Sequence, residues 1–283
     1  MKNFFTRILL TLPVFLLGIS AVQAQYYYKD IYSNRQVASE FKILKSNDLK
    51  DVQVKSFESD GQPSQGFYCE RRINHSFTQS QMISKSNITG QSVLTTDYNT
   101  DGYPVKTVEE TPTTTNTTEF TYDSTHRLLS VTYTTRADQD SSGITETRQY
   151  LYKGPGNPVK MIRKRNQVVL SVIDFVKDSA DNVIEEDVEG KSSLDKRYYY
   201  YYDSQNRLTD VVHYNELARR LLPDYMFEYN PQNQVSQMIT TEEGSSNYFT
   251  WMYTYNDLHL RESEKCFAKD KSLLGNITYL YTP

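Results

Sequence analysis

"YYYYYDSQNRLTDVV", residues 198–212, sets five tyrosines ahead of an Asp, a polar bend and a short apolar run. "FTYDSTHRLLSVT", residues 120–132, has the same frame: aromatic, spacer, Tyr, Asp, two spacers, a turn residue, a spacer and Leu. Sliding that frame along the chain finds six weaker units in register. The eight anchor positions are Phe57, Tyr98, Tyr122, Tyr152, Lys177, Tyr202, Tyr229 and Tyr255. From Tyr98 onward they lie 24 to 30 residues apart, after a first step of 41. A fixed period of this size marks a repeated supersecondary unit.

Four residues after the anchors stand Gly61, Gly102, His126, Gly156, Asp181, Asn206, Asn233 and His259. Gly accepts a positive φ freely, and Asn, Asp and His are the other residues enriched there. Asp or Asn follows most anchors directly and can hydrogen-bond backbone two residues on. Each unit therefore reads as strand, tight turn, strand. Side chains alternate between sheet faces, so each anchor shares a face with the residues two and four before it. In the last six units those 18 positions hold 14 aromatics, among them Phe120, Tyr150, Phe175, Tyr198, Tyr200 and Trp251. The 12 positions between them hold two, Tyr199 and Tyr201. The aromatic face is expected to be core, since each ring buries about 150–250 Å². The fold class is all-β: an antiparallel sheet of consecutive hairpins, curled or stacked, because about sixteen strands are too many for a flat sheet.

The units "YDSQNRL" and "YDSTHRL" resemble the YD repeats of Rhs and teneurin-type proteins, with Tyr202, Asp203, Arg207, Leu208 and Tyr122, Asp123, Arg127, Leu128 matching the consensus. Other units keep only part of it, and Lys177 replaces the Tyr altogether. The resemblance covers residues 53–283. It implies hairpins joined into a long curling sheet and an extracytoplasmic interaction role, with sugar binding among the roles suggested for such repeats. Eight units are expected to be too few for a closed shell.

Residues 1–24 have the parts of an export signal: Lys2 and Arg7, an apolar run from Ile8 to Ile19, and small residues ending at Ala24. The run is too short to span a membrane as a helix. Cutting after Ala24 removes two positive charges and no acid, taking the net charge from −4 to −6. That balance argues against nucleic acid and anionic membrane as partners. Residues 25–52 read as a covering segment with a short helix around Val37, Phe41 and Leu44, shielding the first edge strand. "NELARRLLPDY", 215–225, reads as a connector with a helical turn.

For chemistry the chain offers little. It holds no Gly-x-Ser-x-Gly, no His-Glu-x-x-His and no glycine-rich phosphate loop. Of His75, His126, His213 and His259, two are repeat-turn residues. Paired acids at 184–190 and 240–244 read as solvated connectors rather than a glycosidase pair. Asp138 to Gly143 resembles the start of a calcium loop, but Gln149 stands where a bidentate Glu is needed. No catalytic residue, metal ligand or cofactor is expected. Cys69 and Cys266 allow one disulfide or two free thiols. Tyr199 and Tyr201, with Arg197, are the candidate ligand-binding residues, because two rings stand on an otherwise polar face. The functional expectation is an exported, non-enzymatic protein, periplasmic, surface-displayed or secreted, that binds a glycan or a protein. The alternatives are an assembly component pairing through sheet edges and, more remotely, a polysaccharide hydrolase.

Overall fold

A computed structural model describes residues 25–87, 89–137, 143–189, 197–215, 218–241 and 246–283. The export signal, most of the calcium-like loop and the acids at 242–243 lie outside the described residues. A π-wound turn, Tyr27–Tyr32, runs directly into helix α1, Ser33–Ser46. Eighteen strands follow. The first six are β1 (Asp51–Glu58), β2 (Tyr68–Ile73), β3 (Gln79–Ser86), β4 (Gly90–Tyr98), β5 (Pro104–Glu110) and β6 (Thr114–Tyr122). The middle six are β7 (Leu128–Ala137), β8 (Ile144–Leu151), β9 (Lys160–Arg165), β10 (Val168–Lys177), β11 (Val183–Glu189) and β12 (Tyr198–Tyr202). The last are β13 (Leu208–Asn215), β14 (Arg220–Tyr229), β15 (Val235–Thr241), β16 (Tyr248–Tyr255), β17 (Arg261–Phe267) and β18 (Leu273–Thr282).

Each strand pairs antiparallel with its sequence neighbours, and β1 pairs with β18 from Asp51↔Thr282 to Glu58↔Gly275. The sheet is therefore a closed up-and-down barrel. This corrects the expectation that the repeats could not close. Closure satisfies the backbone donors and acceptors that two edge strands would otherwise leave open.

All eight turn residues of the repeat have positive φ, from 59° at Asn206 to 92° at Gly156. The residue after the anchor holds the bend: Asp203 Oδ1 accepts the backbone N–H of Gln205 and Arg207, and Asp123 Oδ1 those of Thr125 and Arg127. At most anchors the pairing then slips by one residue, as where Tyr201↔Asp210 gives way to Tyr202↔Leu208. Such rim bulges add twist. The first unit differs from expectation. The turn at Gly61 joins β1 to β2 at the opposite rim, while Asn74 and Phe77 (φ 53°) turn β2 into β3 at the rim of the other repeats. Ile73 is thus the structural predecessor of Tyr98, and the odd 41-residue step disappears. Pro223 lies in strand β14 opposite Val212, not in a helical turn, and the pairing is irregular immediately beside it.

Six tyrosines staple neighbouring hairpins at this rim. The hydroxyls of Tyr122, Tyr152, Tyr202, Tyr229, Tyr255 and Tyr281 donate to the carbonyls of Pro104, Leu128, Val183, Leu208, Val235 and Arg261 at 2.6–2.8 Å. The motif arginine acts between units as well. Arg127 pairs with Asp123 in its own turn and lies 4.6 Å over the ring of Tyr152 in the next; Arg207 does the same with Asp203 and Tyr229.

The aromatic face points inward, where Phe120, Tyr150, Phe175, Tyr198, Tyr200, Trp251 and Tyr253 are buried. An 18-stranded barrel of this kind would otherwise enclose a wide lumen. Here the N-terminal segment fills it. Tyr26, Tyr27 and Ile31 join the same core, and Phe41 stacks on Tyr98 at 3.7 Å. The segment expected to cover an edge strand is instead a plug touching strands all round the wall, from Arg71 on β2 to Tyr229 on β14. The outer wall carries Lys55, Glu70, Lys85, Asp97, Lys106, Glu119 and Lys164 at positions that alternate with the buried face. Charges there would cost about 2–4 kcal/mol per Lys or Arg at mid-bilayer depth, so these positions suit water.

Candidate functional site

Three places bring polar and aromatic groups together. Two involve the plug. Asp30, fully buried, accepts from the hydroxyls of Tyr150 (2.6 Å) and Tyr133 (3.0 Å), and both its carboxylate oxygens accept from Arg148 Nη1 (3.0 and 3.1 Å). Arg148 passes the charge on to Glu146, which also binds Arg163 at 2.8 Å. Burial would raise the Glu146 carboxyl, but Arg163 and Arg148 outweigh it and hold it below the usual range. At the start of the plug, Glu186 accepts the backbone N–H of Gln25 (3.2 Å) and Tyr27 (2.7 Å) and the hydroxyl of Tyr200 (2.5 Å). The π-wound turn leaves those N–H groups without helical partners, and a wall carboxylate caps them. Burial raises the Glu186 carboxyl against these hydrogen bonds. The same loss of solvent lifts the Tyr26 phenol to about 12. Both networks join plug to wall through side chains that already hydrogen-bond one another, which makes them structural.

The second place is a cleft of about 650 Å³ between plug and rim, lined among others by Arg35, Tyr103, His126, Arg127 and Tyr152. Its rings are already in use. Tyr103 stacks on His126 at 5.0 Å and lies under Lys42 at 4.9 Å, while Arg127 covers Tyr152. Arg35 donates to Asn157 at 2.9 Å. His126 Nε2 meets Asp101 at 2.9 Å, and that hydrogen bond holds the Asp101 carboxyl below its ordinary range. Little is left to grip a ligand.

The third place is outside, on β12. Tyr199 and Tyr201 point away from the core, as their alternation with Tyr198 and Tyr200 requires. Tyr201 is 47% exposed and Tyr199 half-buried between Glu185 and Val212 on the flanking strands. Arg197 binds Glu185 at 3.2 Å and Asp187, so its charge is held beside the rings. Tyr214, Leu221 and Met226 continue the surface across β13 and β14, with Tyr214 opposite Leu221 and Met226 opposite Asp210. The structure thus brings the three sequence-predicted residues onto one outer strip and adds three that the repeat frame did not point to. The signal for two of them is alternation: Tyr214 follows buried His213 and Met226 precedes buried Phe227, while Leu221 is found only through its pairing with Tyr214.

Cys69 on β2 and Cys266 on β17 are buried free thiols, with β1 and β18 between their strands. Burial pushes both up to about 12. Glu185 and Glu186 lie in strand β11 rather than a solvated connector, the latter wholly inside. His213 is also buried, its Nδ1 2.8 Å from Asp224. Among the described residues no three His, Cys, Asp or Glu side chains gather as a metal site, and no helix is long and apolar enough to cross a membrane.

No family model and no curated protein sequence matches the chain. Solved structures do. A porin-like protein from Bacteroides uniformis is 12% identical over 83% of this chain and 98% of its own, with a TM-score of 0.38. A second porin-like protein, from Bacteroides vulgatus, is 11% identical over 83% and 98%, at 0.28. The Photorhabdus luminescens Tc holotoxin pore is 12% identical over 76% of this chain and 16% of its own, at 0.30.

Proposed function

We propose that this chain is an exported, non-enzymatic binding protein, a plugged barrel that presents the Tyr199–Tyr201 strip to a glycan. The observation that supports it is the pair of outward rings on one strand, continued by exposed Tyr214, Leu221 and Met226, with Arg197 fixed beside the rings by two carboxylates. Tyrosine offers a sugar both an apolar face and a hydroxyl at little conformational cost. The rival reading as an assembly component needs free strand edges, and the β1–β18 seam removes them. The hydrolase reading needs two unpaired carboxylates across a cleft; Asp30 and Glu146 are instead ion-paired with arginines, and Glu186 is hydrogen-bonded by the plug and Tyr200.

A glycan array probed with the purified protein tests the reading. Saturable binding that Tyr199→Ala/Tyr201→Ala abolishes while the fold persists supports it. Binding retained in that variant moves the site elsewhere. A protein captured through Tyr214, Leu221 and Met226, with no glycan signal, replaces the glycan by a protein partner.

A further inference from the structure

Gln25 is both the residue that follows the expected cut and the first residue of the plug. It is 1% exposed, and its backbone nitrogen points at a carboxylate inside the barrel. Three features there are awkward for a nitrogen held in a peptide bond. Glu186 is fully buried, yet no Lys, Arg or His forms an ion pair with it among the described residues. Gln25 Oε1 is buried with no hydrogen-bond partner. Gln25 also has φ 95°, a region in which the preceding carbonyl crowds a side chain.

One chemical change resolves all three. We infer that the mature protein begins at Gln25 and that its new α-ammonium docks on Glu186 inside the lumen. An export peptidase adds water across the Ala24–Gln25 amide: the carbonyl carbon takes the hydroxyl, and the freed amine takes a proton and, at neutral pH, a second. The ammonium has three donors where the amide had one. One keeps the Glu186 bond, a second becomes available to Gln25 Oε1 in the same residue, and the positive charge compensates the buried carboxylate. Removing the preceding carbonyl also removes the clash that disfavours positive φ. The helix dipole opposes a cation at this end, so the carboxylate is what makes the arrangement stable. Glu186 is held for this role by the Tyr200 hydroxyl and the Tyr27 N–H. Signal removal and plug seating thereby become one event, independent of what the outer strip binds.

The test uses protein exported with its own leader. Intact mass and N-terminal sequencing are expected to show a free Gln25. In the folded protein that α-amine should resist an amine-acylating reagent that labels surface lysines, and should react once the chain is unfolded in guanidinium. A second form, made in the cytosol as Met followed by Gln25, displaces the ammonium by one residue, about 3.5 Å. Its Tm is expected to fall by about 10 °C. Glu186→Gln should lower the exported form by a similar amount and the extended form hardly at all. A start at another residue, loss of ammonia to a lactam, ready acylation in the folded state, or equal Tm for the two forms each overturns the inference. Should Glu186→Gln not fold, mass and acylation still decide it, and none of these readouts involves a ligand.

Discussion

Tyr200 and Tyr201 are adjacent and chemically alike, and the barrel treats them oppositely. Tyr200 is 2% exposed, hydrogen-bonded to Glu186 and set edge-on to Tyr27 of the plug at 5.5 Å. Tyr201 is 47% exposed and stands across from Asp210. The same contrast runs along the whole of β12, where Tyr198, Tyr200 and Tyr202 pack into the core and Tyr199 and Tyr201 face outward. Five identical residues therefore hold two jobs. A one-residue slip in register would exchange them, so the bulge that ends each strand at its anchor matters to both faces.

The largest test of the contrast is alkali. Burial lifts the phenols of Tyr26 and Tyr152 to about 12 and that of Tyr200 well above the ordinary value. A phenol whose folded pKa is raised contributes stability that is complete below its unfolded pKa of about 10 and lost as pH rises through the folded value. The barrel is expected to lose its far-ultraviolet circular dichroism near pH 12, together with a cooperative rise in phenolate absorbance. A gradual rise beginning near pH 10 with the sheet intact would show that the inner face is open to water.

Next comes Tyr200→Ala, which leaves a ring-sized cavity and deprives Glu186 of a donor. A loss of about 3–5 kcal/mol by chemical denaturation is expected. Asn206→Ala, at φ 59°, puts a side chain without local hydrogen bonding into the left-handed region and removes the acceptor for Asn182 Nδ2. About 1–2 kcal/mol is expected, with Asn206→Gly closer to wild type. Tyr229→Phe keeps the ring under Arg207 and deletes the staple to Leu208 together with the hydroxyl contact to Tyr32 of the plug, for about 1–2 kcal/mol. Smallest is Tyr201→Ala, within about 0.5 kcal/mol of wild type. If it matched Tyr200→Ala instead, the two faces would not differ as described.

Much of this was legible locally. Turn residues carry their own conformational preference, so the positive φ at Gly102, Asn206 or Asn233 follows from residue type. Strand alternation is equally local, which is why the inward rings and the outward Tyr199–Tyr201 pair were predictable. The first unit misled because Phe57 and Gly61 imitate the frame at the wrong rim, while Ile73, Asn74 and Phe77 keep its geometry with little of its chemistry. Glu186 was misread because "IEEDVEG" is polar in composition, and only its pairing in β11 shows which of its acids turn inward.

The sequence by itself determined the hairpins, their period, the aromatic face and the export-type leader pattern, since each depends on residues within one turn or one strand. Only the tertiary structure decided that β1 meets β18, that residues 25–46 fill the lumen, and that Asp30 and Glu186 are buried. Those outcomes depend on contacts between residues more than a hundred positions apart, where strand number, twist and accumulated register set the geometry. A carboxylate in the wall becomes tolerable only when the far end of the chain arrives to hydrogen-bond it.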